Sequence, residues 1–317
     1  MQNIIVDTDL GFDCDDAGAL LLANYYHNQK DINLLAVTHC VNRIKGAVAI
    51  EKINDYYGNG DIQIGVSNDY AFNVDNLFEE FFLKLKYRDD FQGFNEKPSF
   101  YKLLNAVVLD EETKGKVYKN AVELLIDKLK NAEDKSVTLV CIGQLNNFAN
   151  LIKTDKELVK RKLKKAVVMC GNFKQDGDYY DDGETLWHGE FNVIMDVKSA
   201  KAVVSNSDLE IDFVDYNNGD DIVTGAGLIG QEDNPVYKMY KIHGRGRECS
   251  SWDLEALMCA TGLYNGLFER SNSGTVEIIN NGKTVFNVGG GKHRLITVKD
   301  KLLVREEINK IFKESKR

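Results

Sequence analysis

Residues 4–37 read IIVDTDLGFDCDDAGALLLANYYHNQKDINLLAV. An apolar run (4–6) gives way to a helical pattern, AGALLLANYYHN (17–28), and then to a second apolar run, LLAV (34–37). Unbroken apolar strands separated by a helix indicate a parallel pair covered on both faces and joined by a right-handed crossover. The rhythm continues with a helix around 47–58, IQIGV (62–66), VTLVCIG (137–143), a helix starting near Asn147, AVVMCG (166–171) and LEIDFVD (209–215). TVEII (275–279) and RLITV (294–298) add short β-type pieces before a charged C-terminal helix at 302–317. The expected fold class is α/β: an open, mostly parallel, mixed sheet with helices on both faces, Rossmann-like in plan. No repeat, low-complexity tract or Pro/Gly/Ser linker interrupts the chain, so one domain over 1–317 is expected. The least regular part, 67–116, is aromatic and mixed in charge, a composition suited to helices over the edge of the sheet.

Composition narrows the function classes. The chain has 317 residues, 43% hydrophobic and 28% charged, with two prolines, which is globular rather than disordered or fibrous. A net charge of −9 argues against a nucleic-acid or anionic-membrane surface. No apolar run approaches the roughly 18 residues of a membrane span. MQNIIVDTDL lacks the basic region and apolar stretch of a signal peptide, so a cytoplasmic protein is expected. Six cysteines lie far apart with no CxxC pair and read as reduced thiols rather than a disulfide or zinc framework. GGGKHR (289–294) lacks the full phosphate-loop pattern and is expected to be a turn.

Open α/β sheets bind ligands at the carboxyl ends of their strands. The polar residues after each apolar run are therefore the candidates: the Asp cluster after the first, Thr38–Arg43 after the second, Gly143–Asn147 after VTLVCIG, and Gly171–Asn172 after AVVMCG. Asp7, Asp9, Asp13, Asp15 and Asp16 fall within ten positions. Two carboxylates about 4 Å apart repel by roughly 4 kcal/mol at an effective dielectric near 20. Crowded carboxylates take up protons, spread into solvent or share a cation. Helix capping accounts for one or two of the five, such as Asp13, but not for the two before Gly11. An oxygen-rich cluster suits Ca²⁺ or Mg²⁺, and an EF-hand is excluded because the twelfth position from Asp13 is Asn24 rather than Glu. A D-x-D at the end of a first strand also fits a haloacid-dehalogenase-like phosphatase, with Asp7 as nucleophile, Asp9 as acid and Mg²⁺. That reading leaves Gly11, Asp13, Asp15 and Asp16 without a role.

The run D-T-D-L-G-F-D-C-D-D-A resembles the N-terminal signature of the inosine–uridine nucleoside hydrolase family, usually D-x-D-x-G-x-D-D-A. The resemblance continues in order through LLAVT (34–38), V-C-I-G-Q-L-N-N (140–147), VVMCG (167–171), G-E-F-N (189–192) with Asp196, and S-W-D (251–253). It implies the nucleoside hydrolase fold and Ca²⁺-dependent cleavage of a ribonucleoside into free base and ribose. Carried onto this sequence, the family's calcium would be held by Asp9, Asp16, the carbonyl of Ile142 and Asp253. Asp9 would take the proton from the cation-held water that attacks the anomeric carbon. Asp15, Glu190 and Asn192 would bind the ribose, with Asn172 a further substrate contact. A role in nucleoside metabolism and purine salvage, and a homo-oligomer (dimer or tetramer), also follow from the family.

The departures are informative. D-C-D-D inserts Cys14 and one more acid, so Asp13 is an alternative metal ligand beside Asp15 and Asp16. The usual Val-x-Gly-Asn after the second strand is C-V-N-R (40–43), which nominates Asn42 or Arg43. Glu184 stands where the family often has an Asn for the ribose 5′ end. Trp252 stands where many members have a histidine for the leaving base. The purine-preferring branch resembles this chain there, so Trp252 is expected to stack on a purine. His39 and His188 are expected to be structural. A relative that binds nucleosides without turning them over is the remaining alternative.

Overall fold

The computed structural model describes residues 1–69, 100–174, 179–181, 186–243, 248–279 and 282–317. Eleven strands form one sheet among these residues. Six of them frame the site: β1 (Gln2–Thr8), β2 (Ile32–His39), β3 (Gln63–Val66), β4 (Lys119–Asn120), β5 (Val137–Cys141) and β6 (Leu163–Met169). From β1 the sheet grows one way through β2, β3 and β4, and the other way through β5, β6, Ile211–Val214 and His293–Val298, all parallel. Strands Phe268–Arg270, Gly274–Ile278 and Thr284–Val288 add an antiparallel margin, making the sheet mixed as expected.

Side-chain alternation explains why both faces are covered. Ile4 and Val6 of β1 enter one core, while Ile5 between them enters the other. Val140 and its neighbours Leu139 and Cys141 divide in the same way on β5. Each fully buried Val, Leu or Ile contributes about 1.5–3 kcal/mol, so two cores on one sheet fix the strand register. Helix α1 (Asp15–Asn28) is buried on nearly every side, because helices Asp253–Thr261, Pro235–His243 and Lys301–Glu314 cover what the sheet does not. Helix α2 (Ile44–Tyr56) follows β2.

The expected strands and helices fall where the apolar runs placed them, with ends moved by a few residues. Sequence patterning did not reveal β4, the ribbon of Val223–Thr224 with Cys249–Ser250, or the hairpin of Tyr179–Asp181 with Leu186–His188, because strands of two or three residues carry no period. Of the irregular 67–116 segment, residues 70–99 lie outside the described residues, and Phe100–Asn105 forms a short helix against α2 and Pro235–His243. GGGKHR is a turn: Gly289 and Gly290 take φ of 90° and 76° between Thr284–Val288 and His293–Val298.

Candidate functional site

Chain order reverses direction at β1, whose neighbours are β2 on one side and β5 on the other. The crevice above the carboxyl ends of β1 and β5 is thus the switch point of the sheet, where parallel folds bind ligands. Asp7, the last residue of β1 to pair with β5, accepts from the Thr38 hydroxyl at 2.6 Å and the Asn147 amide at 2.8 Å, while its Oδ2 is buried without a partner. Asp9 accepts from the Gln144 side-chain amide at 2.7 Å. A Cβ on Gly143 would lie 2.8 Å from both the backbone nitrogen and Oδ1 of Asp9, so only glycine lets the two strand ends meet this closely. The Ile142 N–H donates to the Asp7 carbonyl at 2.8 Å, continuing the β1–β5 pairing and bringing Ile142 beside the Asp7–Asp9 segment.

Beyond Asp9 the chain turns at Gly11, whose φ of 135° suits glycine, and enters α1. Asp13 Oδ1 accepts the Asp15 N–H at 3.0 Å, but the N-cap position of α1 is Cys14 rather than the expected Asp13. Asp13, Asp15 and Asp16 each present a carboxylate oxygen, all within 4.8 Å of one another. The Thr8 hydroxyl donates to Asp16. Asp15 Oδ2 accepts from the backbone N–H groups of Trp252 at 2.9 Å and Asp253 at 3.2 Å, spanning 237 residues of sequence to the start of helix Asp253–Thr261.

Glu190 opens helix Phe191–Met195 as its cap, accepting from the N–H groups of Asn192 at 2.6 Å and Val193 at 3.3 Å, and also from Gly171 at 3.1 Å. Asn192 accepts from Gln144 at 3.3 Å and donates to the Met169 carbonyl at 3.2 Å. Asn172 is half-buried and accepts from the Asn217 amide at 2.9 Å. Asn42 follows β2 and its carbonyl accepts from Arg43 at 2.8 Å. Trp252 is half-buried, with its Nε1 donating to the Tyr216 carbonyl at 3.0 Å and its ring stacked on Tyr216 at 5.6 Å and 22°. Glu184 lies outside the described residues. His39 is wholly buried between the carbonyls of Val41 and Leu10, and burial pushes its pKa down to about 4. Gln144 and Thr8 were missed as individual residues, although Gln144 sits in the quoted Q-L-N-N turn and Thr8 between two of the quoted aspartates.

Charge makes the cluster unusual. Asp7, Asp9, Asp15, Asp16, Glu190 and Asp253 are each no more than 4% exposed, and among the described residues none of them pairs with a lysine or arginine. Burial raises Asp9 to about 7, opposed by the Gln144 amide and reinforced by Asp15. Burial likewise raises Asp7 and Glu190 to about 7, each opposed by its hydrogen bonds. Asp15, Asp16 and Asp253 are pushed well above the carboxylate range by burial and then by neighbouring aspartates. Oxygen donors in this number, with Asp13, Asp15 and Asp16 each offering an oxygen within 4.8 Å of the others, fit a hard divalent cation. Asp220 and Asp221, the later acidic pair a phosphatase would use, are instead exposed and bonded to Tyr216 and Lys301.

A mostly parallel α/β sheet with a buried carboxylate cluster at its switch point defines a Rossmann-like protein. Its family is specific: the chain belongs to the inosine-uridine preferring nucleoside hydrolases, whose family model matches residues 4–294. An inosine-uridine preferring nucleoside hydrolase of Crithidia fasciculata is 30% identical over 210 residues, 65% of this chain and 58% of that protein. The chain thus spans 58% of the length of this curated relative. The crystal structure of an inosine-uridine preferring nucleoside hydrolase from Bacillus anthracis has a TM-score of 0.71 at 18% identity, covering 99% of this chain and 100% of that one. A purine-preferring ribonucleoside hydrolase from Gardnerella vaginalis has a TM-score of 0.71 at 17% identity, covering 99% of each chain. The fold and the family resemblance expected from the motifs are borne out, and the phosphatase reading is not favoured.

Proposed function

We propose that this chain hydrolyses the N-glycosidic bond of ribonucleosides, with purine ribosides preferred, to free base and ribose. The observation that carries the reading is the bond from Asp15 to the amides of Trp252 and Asp253, which joins the first and last motifs of the family in one buried crevice. Asp9, Asp13, Asp16, Asp253 and the carbonyl of Ile142 would hold one divalent cation, and an all-oxygen set favours Ca²⁺. Such a cation would neutralise the cluster and orient water toward the sugar.

The chain's own residues supply the rest. Asp9, fixed through one oxygen by Gln144, accepts a proton from the attacking water. Asp15, Glu190, Asn192, Asn172 and Asn42 grip ribose hydroxyls, and Glu184 takes the 5′ end. Holding several hydroxyls sets the anomeric carbon for attack, and the surrounding carboxylates stabilise the oxocarbenium character that develops there. Trp252, held by Tyr216, offers its indole to the base. A stacked purine is the better proton acceptor, which substitutes for a protein acid.

A role in purine salvage by a cytoplasmic homo-oligomer rests on the family resemblance alone. The test is a panel of nucleosides incubated with Ca²⁺ or chelator and assayed for free ribose. Purine ribosides should release ribose only with the cation. Binding without release would leave a nucleoside-binding protein instead.

A further inference from the structure

Cys14 and Cys249 are 235 residues apart in sequence, yet their sulfurs lie 2.7 Å apart. A covalent S–S bond is about 2.05 Å long, so only a small displacement separates this contact from a bond. Both positions border the candidate site. Cys14 caps α1 between Asp13 and Asp15. Cys249 begins the two-residue strand Cys249–Ser250, just before Trp252 and Asp253. Asp15 already reaches the amides of Trp252 and Asp253, so the sulfur contact is a second link between the same two segments.

The two residues differ in exposure. Cys14 is fully buried in the core, whereas Cys249 is partly exposed, so a small reagent meets Cys249 first.

We propose that Cys14 and Cys249 form a reversible dithiol–disulfide site, with a small-molecule disulfide as oxidant, that locks the Asp13–Asp16 turn to the Trp252–Asp253 segment. Two exchanges complete the step. The Cys249 thiolate attacks one sulfur of RSSR, forming a mixed disulfide and releasing RS⁻. The Cys14 thiolate then attacks the Cys249 sulfur, forming the protein bond and releasing the second RS⁻. The two protons of the protein thiols end on the two released thiolates. The protein is oxidised by two electrons and RSSR is reduced by two; a small dithiol reverses both exchanges. The bond closes a loop spanning most of the chain, which restricts the unfolded state strongly. The site stands on the geometry of the pair and not on the reaction proposed above.

The reduced, folded protein is incubated with oxidised glutathione, quenched by alkylation in denaturant and mapped by peptide mass spectrometry without reduction. The expected map joins the Cys14 and Cys249 peptides and leaves the other four of the six cysteines alkylated. The oxidised protein should melt at a higher Tm than the reduced one, and dithiothreitol should reverse the shift. Cys249→Ser should abolish both the cross-link and the response of Tm to glutathione. The proposal is overturned if all six cysteines are alkylated, if glutathione stays on Cys249 with Cys14 alkylated, or if another pair is joined. A Tm no higher than that of the reduced protein also overturns it. Should Cys249→Ser fail to fold, the map of the unmodified chain decides.

Discussion

The side-chain amide of Gln144 donates to Asp9 at 2.7 Å and to Asn192 at 3.3 Å, tying the end of the first strand to the helix that follows Gly189. One amide thereby fixes both the candidate base and a candidate ribose ligand. Gln144→Ala frees Asp9 to rotate and removes a bond that favours its ionised form. Turnover should fall roughly tenfold, the cost of about 1.4 kcal/mol in a charge-assisted hydrogen bond. The pH–rate profile should move to higher pH, because the Gln144 bond lowers Asp9. A profile at unchanged pH would remove Gln144 from the orientation of Asp9.

Asp9→Asn keeps the shape of the side chain and loses its capacity to take a proton. A kcat reduced by roughly two to four orders of magnitude is expected, with Tm within a few degrees of the parent. Near-normal kcat would assign the proton transfer to another group.

Asp253→Ala should lose tightly held cation. Metal analysis of the purified variant should find the cation content of the parent strongly reduced, because Asp253 is buried among Asp15, Asp16, Asp13 and Asp9. Full metal content would place Asp253 outside the coordination shell.

Stability should depend on pH in opposite senses with and without cation. Asp7, Asp9 and Glu190 sit at about 7 in the fold against 3.8, 3.8 and 4.5 for free groups. Between those values the folded chain binds more protons than the unfolded one, so their contribution is present at low pH and lost as pH rises through about 7. A cation prefers the ionised carboxylates, so the gain in Tm from Ca²⁺ over chelator should grow across the same window. A gain that is flat with pH would mean that Asp9, the one of the three in the proposed cation set, does not titrate with cation binding.

Trp252→Ala tests the leaving-group role. Stacking adds roughly 0.5–1.5 kcal/mol to binding, about tenfold at most, so a larger fall in kcat with inosine has to arise in the transition state. 4-Nitrophenyl riboside departs without protonation, and its rate should barely change. Equal losses on inosine, uridine and the nitrophenyl riboside would reduce Trp252 to packing on Tyr216.

Much of the fold was legible because the central strands are buried on both faces and therefore read as unbroken apolar runs, as in VTLVC of β5. The Asp cluster was legible as a site because five acids in ten positions exceed what a helix cap uses. Local pattern carries no record of its closure: the family resemblance alone put Asp253 with Asp9 and Asp16, and neither the Asp15–Trp252 bond nor the Cys14–Cys249 contact, each joining segments more than 200 residues apart, was legible. Gln144 was hidden for a related reason. Its position in the strand-end turn marked it as near the crevice, but only the packing of β5 against β1 aims its amide at Asp9.

The most direct measurement follows inosine incubated in phosphate-free buffer with Ca²⁺, with chelator, and with chelator followed by excess Ca²⁺, quantifying hypoxanthine and reducing sugar together. Equal amounts of base and ribose should appear with Ca²⁺, cease with chelator and return on readdition. Absence of free ribose under every condition, with inosine still bound, would contradict hydrolysis at this site.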